Sequence, residues 1–153
     1  MPVAKSRGFT LVELILVLAI AGIIFAIALP MFDRYFERSR VLQAVTEIDD
    51  MARNIKKLEK ANGVLANTMN DAGYNNRLDP WGFAYQYYNQ RTGTGNGISR
   101  RDKKLKPLNS DFDLYSVGRD GATQQSLTGS KSRDDVVRAR DGGFVGTAEE
   151  FDP

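Results

Sequence analysis

Hydrophobic residues form one long run near the N-terminus of the chain. Residues 9–29 contain a single charged side chain, Glu13, and remain apolar after it. As a helix, 21 residues cover about 31 Å at ~1.5 Å per residue, close to the ~30 Å hydrocarbon core of a bilayer. The run therefore predicts a membrane-spanning helix.

A secretory signal peptide is the alternative interpretation of this run. The apolar core of a signal peptide is shorter, roughly 7–15 residues, and a small-x-small cleavage site follows it. Ala26 and Ala28 could form such a site. The helical pattern continues past them into amphipathic sequence, however, so we favour a helix that is not cleaved there.

Beyond Pro30 the pattern changes from uniformly apolar to amphipathic. Apolar residues recur at three- and four-residue steps, which predicts a helix with one face packed on a core. These positions are Val41, Val45, Ile48, Ala52 and Ile55, widened by Leu42, Met51 and Leu58. We expect one helix over residues 9–61, bent at Pro30 and ended by Asn62-Gly63, because proline removes a backbone donor and glycine suits a helix end.

The remaining residues, 64–153, show strand-like patterns. Segments 83–88 and 112–117 are rich in aromatic residues, and segment 136–140 is a candidate for a short edge strand. Residues 64–80 are rich in Asn, Asp and Gly and indicate a loop. Together these elements predict an α+β fold, in which a long N-terminal helix packs on a small antiparallel sheet.

A basic stretch, residues 100–107, lies between two of the predicted strands. It contains five basic residues and one acidic residue, and such runs are usually solvated loops or hairpins. A contact with an acidic neighbouring surface or substrate is the functional alternative. We favour the solvated loop.

The residue types that the chain lacks exclude several kinds of site. It contains no cysteine and no histidine, so it has no disulfide or cysteine-based metal site, and zinc chemistry and histidine-based acid–base catalysis have no support. Phosphate-binding loops and nucleophile–base pairs are not evident either. We therefore expect a protein that is not an enzyme.

Glu13 needs an explanation, because an acidic side chain in a lipid-facing helix costs roughly 2.5–3.5 kcal/mol or more. Cleavage after Gly8 would create a charged amine on Phe9, four residues before Glu13 and on the same helical face. The amine of one copy could then pair with the carboxylate of another inside a shared apolar core. In the alternative interpretation Glu13 lies at the headgroup level, where the helix dipole favours a carboxylate.

The N-terminal residues resemble the leader of type IV pilins and pseudopilins. The resemblance rests on Lys5-Ser6-Arg7-Gly8 followed by Phe9-Thr10-Leu11-Val12-Glu13-Leu14, and on Pro30. It implies cleavage after Gly8 by a prepilin peptidase and N-methylation of Phe9. It also implies that Glu13 guides docking of the subunit into a growing filament. The implied regions are a leader at 1–8, a membrane and filament-core helix at 9–29, its amphipathic continuation at 30–63, and a globular domain at 64–153.

Two further segments resemble the major pseudopilin of type II secretion. Residues 79–87 read DPWGFAYQY, and residues 111–121 read DFDLYSVGRDG. The C-terminal tail lacks the tryptophan that often closes the pseudopilin motif, so a type IV pilin of a surface filament, serving adhesion, motility or DNA uptake, stays the second hypothesis. A membrane-anchored periplasmic binding domain is a third.

The resemblance also implies a location and partners. The chain would cross the bacterial inner membrane once, with its C-terminal domain in the periplasm, before it enters a filament of identical copies in the periplasm or at the cell surface. The expected partners are the prepilin peptidase, the inner-membrane assembly platform, and minor pilins or pseudopilins. Two of the 21 basic residues, Lys5 and Arg7, lie in the leader, so the processed chain would carry 19 basic and 19 acidic residues, which gives no support to nucleic-acid binding.

Calcium is the cofactor that the pseudopilin resemblance implies. Members of that family bind calcium in the loop after the DLYS-like strand, through aspartates and main-chain carbonyls, and calcium prefers such oxygen ligands. The matching acidic positions are Asp120, Asp134 and Asp135, with Leu114 and Ser116 as carbonyl donors. We expect calcium to stabilise this loop in place of a disulfide.

Overall fold

The structure is a computed structural model, and it describes residues 8–151. The helices are α1 (Leu11–Asn62) and α2 (Ala148–Phe151), and the strands are β1 (Gln86–Asn89), β2 (Thr94–Gly95), β3 (Phe112–Ser116), β4 (Val136–Ala139) and β5 (Phe144–Thr147). Short 3-10 turns occupy Ser130–Ser132 and Arg140–Gly142. The chain divides into two units between Arg38 and Ser39.

Helix α1 confirms the helix predicted from the hydrophobic pattern. It is continuous over 52 residues and contains Pro30. At its end, the Gly63 N–H donates to the Glu59 carbonyl at 2.8 Å, and Gly63 adopts a φ of 72°. This left-handed conformation favours glycine, and the helix ends at Asn62-Gly63, as the sequence predicted.

The first unit consists of the apolar part of α1 and the residues before it. Its large apolar side chains, from Phe9 to Phe36, are exposed, and α1 contains a segment long and apolar enough to cross a membrane. Because so much apolar surface is unfavourable in water, this segment requires lipid or other protein around it.

The second unit contains the core that joins the end of α1 to the sheet. The buried face of α1 presents Ala44, Ile48, Met51, Ala52 and Ile55 to buried residues of the sheet, among them Tyr87, Phe112, Leu114 and Val136. Val41, Val45 and Leu58 pack at its border. Leu42 is a correction to the predicted stripe: it is 60% exposed, because its direction around the helix points away from the sheet.

The sheet has five antiparallel strands in the order β2-β1-β3-β4-β5. Strand β3 is central and buried throughout, because alternate side chains enter cores on opposite faces. Phe112 and Leu114 join the core beneath α1, whereas Tyr115 joins a second cluster formed by Val117, Val137, Ala139, Leu108, Leu127 and Ala148.

Segment 136–140 was predicted as a short edge strand: the strand is confirmed, but its position at the edge was wrong. It forms β4, which is internal because β5 pairs along it from Val136↔Thr147 to Ala139↔Phe144. The edges are β2 and β5, neither of which the sequence pattern revealed. Strand β2 has only two residues, and β5 contains Gly146, so both lack the continuous β-branched and aromatic character that marks a strand.

Candidate functional site

The start of α1 is organised by Thr10 and Glu13. The Thr10 N–H and hydroxyl donate to Glu13 Oε2 at 2.8 and 2.7 Å, and the Glu13 N–H donates to Thr10 Oγ1 at 3.2 Å. This is the reciprocal capping box, which satisfies backbone donors that a helix start leaves unpaired. The role of Thr10 was not predicted from the sequence, although a threonine three residues before a glutamate is the signal for a capping box.

The capping box gives Glu13 partners within its own chain. Gly8 and Phe9 precede the helix and are exposed. The pairing predicted for Glu13, with the Phe9 amine of another copy, is a contact between two chains, so it stays a prediction. Lys5 and Arg7 of the predicted leader lie outside the described residues.

Of the acidic residues predicted to bind calcium, Asp120 and Asp134 contact each other, whereas Asp135 pairs with Arg100. The Asp120 N–H donates to Asp134 Oδ2 at 3.0 Å, and Asp120 Oδ1 accepts the Ala122 N–H at 2.8 Å. Asp135 is buried and faces Arg100 instead, with 2.6 Å between Asp135 Oδ2 and Arg100 Nη2. The Thr123 hydroxyl also donates to Asp135 Oδ2, at 2.6 Å.

The two predicted carbonyl donors belong to the central strand. The Leu114 side chain is buried in the core beneath α1, and the Ser116 hydroxyl donates to Asp79 and accepts the Gly118 N–H. No group of three acidic side chains within residues 8–151 is arranged to hold a metal ion. The three aspartates therefore do not form one shared cluster in this part of the chain, and the calcium site stays a prediction.

A second charge cluster joins the exposed Lys56 of α1 to the buried Asp111, just before β3, and the buried Arg138 of β4. Arg138 Nη1 and Nη2 donate to the two carboxylate oxygens of Asp111 at 2.8 and 2.9 Å, and Lys56 Nζ lies 3.1 Å from Asp111 Oδ2. Burial alone would raise the pKa of Asp111, but the hydrogen bonds from Arg138 and the Phe112 N–H outweigh it and lower the pKa to about 2. Asp111 is therefore ionised at neutral pH.

Asp79 of the DPWG segment connects its loop to the central strand. Its Oδ1 accepts the Trp81 and Phe83 N–H groups at 3.0 and 2.9 Å, while its Oδ2 accepts the Ser116 hydroxyl. The resemblance in this segment thus corresponds to a structural turn that is fixed to β3, rather than to a reactive site.

Comparison with known proteins places the N-terminal features in a family. The prokaryotic N-terminal methylation motif matches residues 3–29, which include Gly8, Phe9 and Glu13. The chain is 32% identical to the type IV major pilin protein PilE1 of Neisseria gonorrhoeae, over 50% of this chain and 63% of that protein. The chain is a homologue of type IV major pilins.

Other pilin relatives match mainly the N-terminal part. The type IV major fimbrial protein FimA of Dichelobacter nodosus is 44% identical over 51 residues, and a fimbrial protein of Pseudomonas aeruginosa is 49% identical over 43 residues. These matches cover 33% and 28% of the relatives, so this chain spans less than two thirds of each relative named here. No solved structure matches the chain significantly.

The type IV pilin homology agrees with the fold and with the class of protein expected. A long N-terminal helix packed on an antiparallel sheet is the pilin-like α+β architecture that the sequence predicted. The relatives bear the names of pilin and fimbrial proteins, which agrees with the expectation that the chain is not an enzyme. Pseudopilins are a close relative family of type IV pilins, and the homology does not choose between the two.

Proposed function

We propose that the chain is a structural subunit of a pilus-like filament and assembles through the apolar part of α1. The observation that carries the proposal is an exposed apolar helix whose start is capped by Thr10 and Glu13 inside a methylation motif. Identical helices that bundle together would replace lipid contacts with packing contacts, so the driving force must come from packing and polar pairing. The partner is therefore another copy of the chain.

The events before assembly follow from the same motif. A prepilin peptidase would cleave between Gly8 and Phe9, and Phe9 would be N-methylated. The apolar helix would hold the chain in the bacterial inner membrane, with the second unit in the periplasm, until an assembly platform and minor pilins or pseudopilins incorporate it. The amine of Phe9 would then pair with Glu13 of a neighbouring copy.

Two finer functions fit this role. The DPWG and DLYS segments favour the major pseudopilin of type II secretion, whereas the named pilin and fimbrial relatives favour a surface pilus. Deleting the gene distinguishes them: loss of secreted folded proteins from the medium supports the pseudopilin, and loss of surface fibres with intact secretion supports the pilus.

Substitution of Glu13 tests the assembly role. Glu13→Gln retains an acceptor for the Thr10 N–H but removes the charge, whereas Glu13→Ala removes both. We expect both variants to enter the membrane at the wild-type level and to form few or no filaments, as seen by electron microscopy of sheared fibres. Asp50→Asn, at an exposed position of α1 in the second unit, is the control and should assemble.

The outcomes separate charge pairing from capping. Normal filaments from Glu13→Gln would contradict the pairing with Phe9 and leave capping as the role of Glu13. Normal filaments from Glu13→Ala as well would contradict both. A wild-type chain that enters the membrane but forms no fibre with its assembly machinery present would instead favour the anchored binding domain.

A further inference from the structure

Arg100 opens the basic stretch 100–107, yet its side chain is not solvated as predicted for that stretch. The guanidinium is fully buried, whereas the following Arg101 is exposed. The backbone of Arg100 is held inside the second unit as well: its N–H donates to Asp113 Oδ2 at 2.7 Å, and its carbonyl accepts the Leu108 N–H at 2.8 Å. The solvated interpretation is therefore wrong for this residue.

The guanidinium of Arg100 hydrogen-bonds to two side chains that also hydrogen-bond to each other, so the three groups form a closed triangle. Nη2 donates to Asp135 Oδ2, Nη1 donates to the Thr123 hydroxyl, and that hydroxyl donates to the same Asp135 oxygen. The centroid of the Tyr115 ring lies 4.4 Å from the guanidinium carbon, a distance that allows a cation–π contact. Three segments meet here: the connection after β2, the loop after β3, and the start of β4.

Backbone hydrogen bonds join the same segments beside the triangle. The Arg101 N–H donates to the Gln125 carbonyl at 2.9 Å, and the Leu127 N–H donates to the Arg101 carbonyl at 3.0 Å. Residues 100–101 therefore hold the loop after β3 through both side-chain and main-chain contacts. This is the loop for which the pseudopilin resemblance implies calcium.

A buried carboxylate requires a compensating cation, because an isolated charge in the interior is very costly. Asp135 has its cation in Arg100, and both side chains are 0% exposed. A calcium ion bound to Asp135 would bring a double positive charge next to a buried guanidinium, which is repulsive at short range in a poorly polarisable interior. The neighbouring Asp134 and Asp120 are joined to each other through a main-chain N–H.

We propose that Arg100 is the cation that closes the C-terminal loop of this chain, the loop for which the pseudopilin resemblance implies calcium. The loop would then fold without a divalent ion. One atom makes the proposal open to refutation. Asp135 Oδ1 is buried and has no hydrogen-bond partner among the described residues, so it is the oxygen of this carboxylate left available to a bound ion.

The first test needs no variant. The full chain in detergent micelles is heated at pH 7 in 5 mM CaCl2 or in 5 mM EDTA, and unfolding is followed by near-ultraviolet circular dichroism. We expect the two Tm values to agree within about 1 °C. Calcium at a hundredfold excess over the Kd of a folded-state site would raise Tm by roughly 10 °C, so a calcium-dependent rise of more than about 2 °C overturns the proposal.

The second test removes the cation. Arg100→Met keeps the length of the side chain and should lower Tm by roughly 10–20 °C, because it leaves Asp135 buried and uncompensated. Arg101→Met makes the same substitution at the adjacent exposed position and should change Tm by less than about 2 °C. Equal effects of the two variants would contradict the assignment.

A double-mutant cycle isolates the contact between Arg100 and Asp135. The fall in Tm of the double variant Arg100→Met/Asp135→Asn should be much smaller than the sum of the falls of the two single variants, since each partner is costly mainly when the other is absent. Additive losses would overturn the proposal. If Arg100→Met does not fold, Arg100→Lys takes its place: Lys retains the charge but not the two-pronged geometry, and the calcium comparison on the wild type remains decisive.

Discussion

The contact between Asp111 and Arg138 predicts how the stability of the second unit depends on acid. The pKa of Asp111 is lowered from 3.8 to about 2, and each pKa unit corresponds to about 1.4 kcal/mol, so the ionised form adds about 2.5 kcal/mol to the stability at neutral pH. A carboxyl with a lowered folded pKa stabilises above its unfolded pKa. This contribution is therefore complete above about pH 5 and is lost as the pH falls from about 4 to about 2.

Asp111→Asn is the perturbation that measures this contribution. At pH 7 it should cost about 3–5 kcal/mol, because it also leaves the buried Arg138 without a counter-charge. The free energy of unfolding of the wild type and the variant is measured by urea titration between pH 7 and pH 2.5, in detergent micelles. We expect the difference between them to shrink by about 2 kcal/mol over the acidic part of this range.

An exposed carboxylate provides the matched control for Asp111. Asp50 pairs with Arg53 at 2.7 Å, but both side chains are about two thirds exposed, so Asp50→Asn should cost no more than about 0.5 kcal/mol at any pH. A difference between the wild type and Asp111→Asn that stays constant from pH 7 to pH 2.5 would refute the electrostatic reasoning. So would a cost at pH 7 as small as that of Asp50→Asn.

Two further substitutions test the helix start and the core. Thr10→Ala should weaken the start of α1 by about 1 kcal/mol and reduce the yield of filaments, while Thr10→Ser, which keeps the hydroxyl, should restore it; equal yields from the two variants would argue against the capping role. Ile48→Ala, at a fully buried position, should lower the free energy of unfolding by about 2–5 kcal/mol in urea titrations. Leu42→Ala, at the exposed position on the same helix, should change it by less than about 0.5 kcal/mol, and similar losses at both positions would contradict the assigned helix face.

Long periodic features were predictable from the sequence because local rules determine them. The apolar run, the amphipathic stripe and the stop at Asn62-Gly63 together gave the helix to within two residues of Leu11–Asn62. The aromatic segments gave β1 and β3 for the same reason, since their residues suit a pleated and buried surface.

The features that were missed depend on residues far apart in the chain. Arg100 belongs to a basic stretch, and its counter-charge Asp135 lies 35 residues further on, so the sequence pattern gives no sign that Arg100 is buried. The internal position of β4 depends on pairing with β5, whose glycine-containing sequence gives little strand signal. The side-chain contacts of the acidic loop likewise follow from this packing, which no spacing of aspartates in the sequence could show.

The short length of strand β2 limits how copies of this chain can aggregate through that edge of the sheet. An open sheet edge offers unpaired backbone groups to any other strand, and proteins often protect themselves by keeping such edges short. Strand β2 has only two residues, Thr94 and Gly95, whereas β5 at the opposite edge has four. At the β2 edge another copy would therefore form few backbone hydrogen bonds, which leaves ordered packing of the apolar part of α1 as the easier route to a polymer.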